Sequence, residues 1–243
     1  MNFVIKVYGL LCYLVFLATS LYAIGFVGNF IVPKSMDTAL ETSILHALVI
    51  DSILILIFGL QHSLMAREDF KNKLIKILPM QIERSTYVLC SSLALVLLFW
   101  QWRPIGGIVW DVSNTSIGNV FIAIGLLGWG ILFVSTFLLD HFSLFGLRQI
   151  FTSGDKSAEV GALKTPALYK LVRHPIYFGF TLAFWFTPTM TYTHLLFAVG
   201  MLVYTLMGAL LEERDLVKVF GEEYRKYQSN VSMLIPFFPR KSK

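Results

Sequence analysis

The chain has 243 residues, of which 56% are hydrophobic and only 14% charged. A soluble domain carries about 25% charged residues, so this composition excludes an ordinary water-soluble globule and points to a membrane protein. The formal net charge of +5 raises nucleic acid as a partner, but the placement of the cations along the chain explains the charge in another way. Two cysteines, Cys12 and Cys90, lie inside apolar stretches. They are too few for a disulfide framework and are not at metal-ligand spacing. No cleavable leader is expected, because the first apolar stretch is long and lacks a small-residue cleavage site.

A helix needs about 20 apolar residues to cross a bilayer. In chain order, Tyr8–Val32, Ile44–Leu64, Thr86–Trp102 and Ile117–Leu139 each approach that length. The last apolar stretch, Ile176–Leu211, is too long for one crossing and is interrupted by Thr187-Pro188-Thr189 and by the turn-like Thr191-Tyr192-Thr193-His194. Proline removes a helical hydrogen bond, so this stretch predicts a tight two-helix hairpin. That gives six crossings, or five where Ile176–Met190 is a short re-entrant arm. Beyond it, Leu216, Phe220, Tyr224 and Tyr227 recur at helical spacing with Lys218, Glu222, Arg225 and Lys226 elsewhere. Such a helix is expected to lie on the membrane surface and close over a site there. The expected fold is an all-α integral membrane protein of five to six transmembrane helices with a C-terminal hairpin and an amphipathic tail. It forms one membrane domain, with a four-helix substrate-side bundle over 1–147 and a cofactor-binding loop, hairpin and tail over 148–243.

Lysine and arginine are concentrated in alternate connections. Five fall in Arg67–Arg84, five in Arg148–Arg173 and seven in the tail, against one each before the first span, at Lys34 and at Arg103. By the positive-inside rule both termini are cytoplasmic. This orientation carries Gln61, His62, Asp140, His141, Arg148, Arg173, His174, Glu212 and Glu213 to the cytoplasmic face. The outer face receives Lys34, Asp37, Glu41, Asp111 and His194. Asp51 sits deep in the second stretch, about three turns from His62 and on the same helix face. Its plainest role is a hydrogen bond inside the bundle.

Polar groups at the mouths of membrane spans are costly unless they bind something or snorkel to the surface. No G-x-G-x-x-G, P-loop or H-E-x-x-H motif occurs, and His62, His141 and His174 are not paired at ligand spacing, so no metal is expected. The run Tyr169-Lys170-Leu171-Val172-Arg173-His174-Pro175-Ile176-Tyr177 is more informative. Pro175 makes His174 extended and suits a first helical turn, where exposed amides and the dipole favour an anion. Across the hairpin Glu212-Glu213 returns to the same level. Adjacent helical residues diverge by about 100°, so one carboxylate is expected to face the site and the other a basic neighbour. A ligand with a carboxylate, a ribose diol and a cationic centre would match these groups, and S-adenosylmethionine has all three.

Thr165-x-x-Leu-Tyr169-x-x-Val-Arg173-His174-Pro175-x-Tyr177, followed by Glu212-Glu213-x-x-Leu216-x-x-x-Phe220-Gly221-x-x-Tyr224-x-x-Tyr227 and Pro236, resembles the isoprenylcysteine carboxyl methyltransferase superfamily. These are membrane enzymes that bind S-adenosylmethionine through this region. Gln61-His62-Ser63-Leu64-Met65-Ala66-Arg67, Phe99-Trp100-Gln101-Trp102-Arg103-Pro104 and Asp140-His141-Phe142-x-Leu144-Phe145-Gly146-Leu147-Arg148-Gln149 are similar to the bacterial methanethiol S-methyltransferases. Nurim-type membrane proteins share some of these segments. One departure stands: many superfamily members carry Gly-Pro-Tyr where this chain has Ala167-Leu168-Tyr169.

The resemblance implies methyl transfer from S-adenosylmethionine to methanethiol, giving dimethyl sulfide. It assigns Tyr169, Arg173, His174, Tyr177, Glu212 and Glu213 to the cofactor. The nucleophile must be a thiolate, and a cysteine-type thiol ionises near about 8.5. His62, His141 and Asp140 are therefore candidate proton acceptors, and Arg148 a candidate thiolate stabiliser. The expected partners are a small thiol and the lipid bilayer, with no metal and no nucleic acid. The expected location is a bacterial inner membrane with the active site on the cytoplasmic face. The rival readings are methylation of a larger lipophile (a prenylcysteine carboxylate or a phospholipid amine) and a non-enzymatic nurim-like role.

Overall fold

The computed structural model describes residues 3–38, 42–152 and 163–236. Glu41 and, among the counted cations, Lys156, Arg240, Lys241 and Lys243 lie outside the described residues. Five helices are long and apolar enough to cross a membrane: α1 (Phe3–Gly28), α2 (Ile44–Ala66), α4 (Met80–Gln101), α5 (Ser116–Leu138) and α9 (Tyr192–Phe220). Shorter helices connect them: α3 (Glu68–Leu74), α6 (His141–Leu144), α7 (Leu147–Phe151), a 3₁₀ turn at Ala167–Lys170, α8 (Pro175–Trp185) and α10 (Glu222–Asn230). The protein is an all-α, multi-pass membrane bundle.

Local chemistry starts these helices where polar residues meet the apolar runs. The hydroxyls of Ser43, Thr115 and Thr191 accept hydrogen bonds from the amides of His46, Gly118 and His194. Each satisfies an amide that has no partner within its helix. Pro175 occupies the first turn of α8, where its missing N–H costs nothing. Leu11, Leu14, Leu21, Leu56, Leu60, Leu126 and Leu127 remain exposed along α1, α2 and α5. In water that surface would be unfavourable; in a bilayer it meets lipid, and the backbone is satisfied within each helix.

The hairpin forms as expected, but its first arm is short. α8 has 11 residues, and at about 1.5 Å per residue it covers roughly half of a hydrocarbon core of about 30 Å. The physical cause is Pro188. It forces Thr187 extended, and the chain leaves the helix at Phe186. It then runs into a strand, β2 (Thr189–Thr191), which pairs antiparallel with β1 (Ile108–Asp111). This two-stranded ribbon was not expected from the sequence. Trp110 Nε1 donates to the Thr187 carbonyl at 3.1 Å and Thr189 Oγ1 donates to Asp111 at 3.1 Å, which fixes the turn to the α4–α5 connection. Thr191 also donates to Asp37 at 2.7 Å. The connections α1–α2, α4–α5 and α8–α9 therefore share one end of the bundle. The basic connections and both helical termini share the other.

Small residues let α8 lie directly on α5. A Cβ on Gly128 would fall 2.6 Å from both the Gly179 carbonyl oxygen and the Ala183 amide nitrogen, and one on Gly179 would fall 2.7 Å from the Gly128 oxygen. Close backbone approach through glycine is the usual way membrane helices gain packing energy, since burial from lipid supplies little. A core of Phe26, Leu54, Phe58, Leu98, Phe99, Trp102, Phe184, Phe197 and Met201 fills the centre toward the ribbon end. Asp51 is fully buried there, and its Oδ1 accepts the Arg103 amide at 2.9 Å. The bundle-interior role expected for Asp51 is the one it has.

Candidate active site

At the basic end, the start of α8 meets the end of α9. Arg173 and His174 are buried, as is Glu213. Arg173 Nε donates to Glu213 Oε1 at 2.6 Å, and His174 Nε2 lies 3.2 Å from the same oxygen. The other Glu213 oxygen accepts from the Gln228 side chain at 2.8 Å. Arg173 Nη1 also donates to the carbonyl oxygens of Gln228 and Val231. Every charge in this junction thus has several polar partners, as a buried charge requires.

The two carboxylates divide as the helical geometry predicts. Glu213 turns inward to Arg173 and His174. Glu212 keeps half of its side chain exposed and accepts from the Tyr177 hydroxyl at 3.2 Å, with His174 Nδ1 3.5 Å away. The His174 and Tyr177 rings stack at 5.3 Å with an interplanar angle of 14°. Tyr177 and Glu212 therefore form the open edge of the junction, with the buried His174 ring stacked behind Tyr177, and Arg173 and Glu213 form its closed interior.

The tail seals the interior. The Arg173 amide donates to the Ser232 carbonyl at 2.8 Å, and the His174 amide to Met233 at 3.2 Å. The Tyr227 hydroxyl donates to the Tyr169 carbonyl, and Tyr224 packs edge-on to Tyr227. Burial pushes the Tyr227 phenol up to about 12 and raises Tyr169 and Tyr224 as well, so all three stay protonated at neutral pH. Ala167 opens the turn before Tyr169 with φ at +39°. That is a left-handed conformation that glycine adopts at less cost, which gives the departure from Gly-Pro-Tyr a physical meaning.

The four candidate catalytic residues do not gather at one site: Asp140 and Arg148 pair with each other, while His62 and His141 lie apart. His62 is held between α2 and α4, with Nε2 2.7 Å from the Tyr87 hydroxyl and Nδ1 3.1 Å from Ser91 Oγ. His141 lies in a separate aromatic box, stacked on Phe137 at 4.4 Å. Its two nitrogens lie 2.8 Å from the Tyr13 hydroxyl and 2.8 Å from Thr136 Oγ1, and burial holds its pKa below the ordinary histidine value. Asp140 caps α6 by accepting the Ser143 amide at 3.3 Å and pairs with Arg148, which is largely exposed. Among the described residues, no group of three His, Cys, Asp or Glu side chains is placed to hold a metal ion.

Two participants were not singled out by reading the sequence, Gln228 and Ser91, and Tyr87 stood there only as the end of the segment Ile82-Glu83-Arg84-Ser85-Thr86-Tyr87, which is similar to the bacterial methanethiol S-methyltransferases. Gln228 lies one helical turn beyond Tyr224, a residue on the tail's apolar stripe, so its direction was available from spacing. Tyr87 and Ser91 are four apart inside an apolar span, where polar side chains mark bundle-interior contacts.

Residues 52–237 match the model of the NnrU protein family. The chain belongs to that family. Among its relatives, Methanethiol S-methyltransferase 1 of Bradyrhizobium diazoefficiens is 49% identical over 237 residues, covering 97% of this chain and 83% of the relative. The methanethiol S-methyltransferase of Crocosphaera subtropica is 49% identical over 239 residues, covering 98% and 94%. Nurim of Bos taurus is 30% identical over 195 residues, covering 76% and 74%. No solved structure gives a significant match.

Proposed function

We propose that this NnrU-family protein is an S-adenosylmethionine-dependent methyltransferase that converts methanethiol to dimethyl sulfide. The observation that carries the reading is near-half identity to enzymes of that name over almost the whole chain, together with the carboxylate, phenol and imidazole edge at the α8–α9 junction. The donor set fits the cofactor. Glu212 offers an open carboxylate to a diol or a cation, and the stacked His174–Tyr177 pair offers an aromatic face. Bound there, S-adenosylmethionine would supply an electrophilic methyl group on a sulfonium.

In this reading His174, Tyr177 and Glu212 contact the cofactor. Arg173 and Glu213 hold the turn that presents them, and α10 with Tyr169 closes the site. Positioning of the thiol in line with the methyl group would supply much of the rate. We further propose that the basic end of the bundle faces the cytoplasm of a bacterial cell, because the clustered cations fall there. His141, Asp140 and Arg148 stitch the α5–α7 connection, since their polar atoms are engaged by the protein itself.

Two measurements test this. Purified protein in detergent, given methyl-labelled S-adenosylmethionine and methanethiol, is expected to release volatile labelled dimethyl sulfide. Label transferred to an added prenylcysteine or phospholipid instead would replace the substrate, and no transfer to any of them would end the reading. His141→Phe keeps a ring on Phe137 but takes the imidazole partner from the Tyr13 hydroxyl and from Thr136 Oγ1, which keeps only its bond to the Phe133 carbonyl. It is expected to lower stability by about 1–3 kcal/mol, read from thermal melting, with S-adenosylmethionine affinity unchanged by calorimetry. A loss of affinity at wild-type stability would move His141 into the site.

A further inference from the structure

The hydrogen bonds around His62 have a direction that can be assigned from donor counts. Ser91 has one hydroxyl proton and donates it to the Tyr87 carbonyl at 3.0 Å. Its oxygen therefore meets His62 Nδ1, 3.1 Å away, as an acceptor, and it also accepts from the Gln61 amide at 3.4 Å. It follows that Nδ1 carries the ring proton and that Nε2 of the neutral imidazole is an acceptor. The partner of Nε2 is the Tyr87 hydroxyl at 2.7 Å. Tyr87 thus aims its proton at a base, while its oxygen retains lone pairs with which to accept another.

This pair adjoins the open edge of the α8–α9 junction. Tyr177, which bonds to Glu212, presents its hydroxyl to α9 beside Gly208, where a Cβ would lie 3.6 Å from it, one helical turn from Tyr204. The Tyr204 ring stands edge-on to His62 with centroids 6.2 Å apart. The Arg84 guanidinium lies over the Tyr87 ring at 4.9 Å. The titratable and charged groups facing the pair are therefore Arg84 and Glu83 from α4, Tyr177 from α8 and Tyr204 from α9.

We infer that Tyr87 accepts the substrate thiol proton as methyl transfer occurs and passes its own proton to His62 Nε2. The inference rests on the thiol methyltransferase reading above and adds to it a catalytic phenol and, behind it, His62 as a positioning residue and final proton acceptor. The step balances. The thiol sulfur forms the new bond to the methyl carbon, and the old sulfonium–methyl bond breaks with its electron pair left on the donor sulfur. The thiol proton moves to the Tyr87 oxygen and the Tyr87 proton moves to imidazole, so one positive charge passes from sulfonium to imidazolium. The chemistry needs such a relay because a thiol that ionises near about 8.5 or above is mostly protonated at neutral pH.

Three readouts test it. In cofactor-free protein with nitrogen-labelled histidine, NMR is expected to show His62 as the Nδ1–H tautomer, with its Nε2 resonance displaced in Tyr87→Phe; an Nε2–H tautomer would overturn the relay. Tyr87→Phe and His62→Ala are each expected to lower kcat/KM for methanethiol by about a hundredfold with S-adenosylmethionine affinity retained. Their residual rate should rise about tenfold per pH unit below the thiol pKa, a steeper dependence than that of the wild type, which carries its own proton acceptor. A full rate with the wild-type profile in Tyr87→Phe would overturn the inference and leave the methyltransferase reading intact, whereas an inactive wild type would overturn that reading itself. Should either variant fail to fold, the solvent isotope effect on the wild type decides. A normal effect is expected from a proton in flight, and an inverse one, as a preformed thiolate gives, would overturn the relay.

Discussion

Glu213→Gln is expected to abolish S-adenosylmethionine binding and to destabilise the protein by about 3–5 kcal/mol, the usual cost of removing one partner from a buried ion pair. The substitution keeps the shape of the side chain but removes its charge. Arg173 would then be a buried cation held by carbonyls alone. The new amide NH₂ would face the Gln228 amide, which now donates to a carboxylate oxygen, so one donor loses its acceptor. Because the Arg173 and His174 amides are tied to Ser232 and Met233, loosening this centre frees the tail and the first turn of α8 together. Thermal melting in detergent and calorimetry with S-adenosylmethionine check both effects. Wild-type affinity in a folded Glu213→Gln protein would remove the junction from the cofactor site.

The second large effect is expected at the α5–α8 crossing. Gly128→Ala places a methyl group 2.6 Å from two backbone atoms of α8, which cannot rotate away. Separating the helices costs about 1–3 kcal/mol for the single methyl, and Gly128→Leu should prevent stable folding. Gly130 supplies the control on the same helix, since a Cβ there meets nothing within 4 Å. Gly130→Ala should therefore be neutral or slightly stabilising through its better helix propensity. The two alanine variants are compared by melting temperature in the same detergent, and equal values would show that the crossing is not tight. The Gly128 variants should also lose cofactor affinity, because α8 carries His174 and Tyr177 on its first turn.

Much of the site was legible because it was encoded locally. Pro175 announces a helix start, adjacent glutamates must diverge, and a hairpin of apolar residues must return its second end to the level of its first. Those three facts bring Glu212 and Glu213 to Arg173 and His174 without any knowledge of packing. The division of labour between the glutamates was legible only as an alternative, since both are charged and both lie at a helix end. Gln228 shares a helix face with the buried Tyr224, but its partner, the Glu213 carboxylate, became visible only when the tail folded back on Arg173.

Other features were beyond the reach of a linear reading. Three polar clusters expected together lie toward the basic end of the bundle, but His141 and the Asp140–Arg148 pair are engaged by α1, α5, α6 and α7, whereas His62 is held by α4. Which span lies beside which is decided by side-chain fit, and hydropathy carries no information about neighbours in a bundle. The same holds for the ribbon of β1 and β2, whose strands are 4 and 3 residues long and far apart in the chain, so that only their pairing defines them.

By itself, then, the sequence determined a membrane protein with apolar spans, a hairpin broken at Pro188 and a charged junction at Arg173-His174 and Glu212-Glu213, because hydrophobic length and helix-terminal chemistry are local properties. Tertiary structure alone decided that the hairpin's first arm is half a crossing long, that Glu213 is the buried anion, and that Tyr87 stands against His62. Each of these depends on which surfaces touch, and contact between residues far apart in the chain is written in shape complementarity rather than in any one segment.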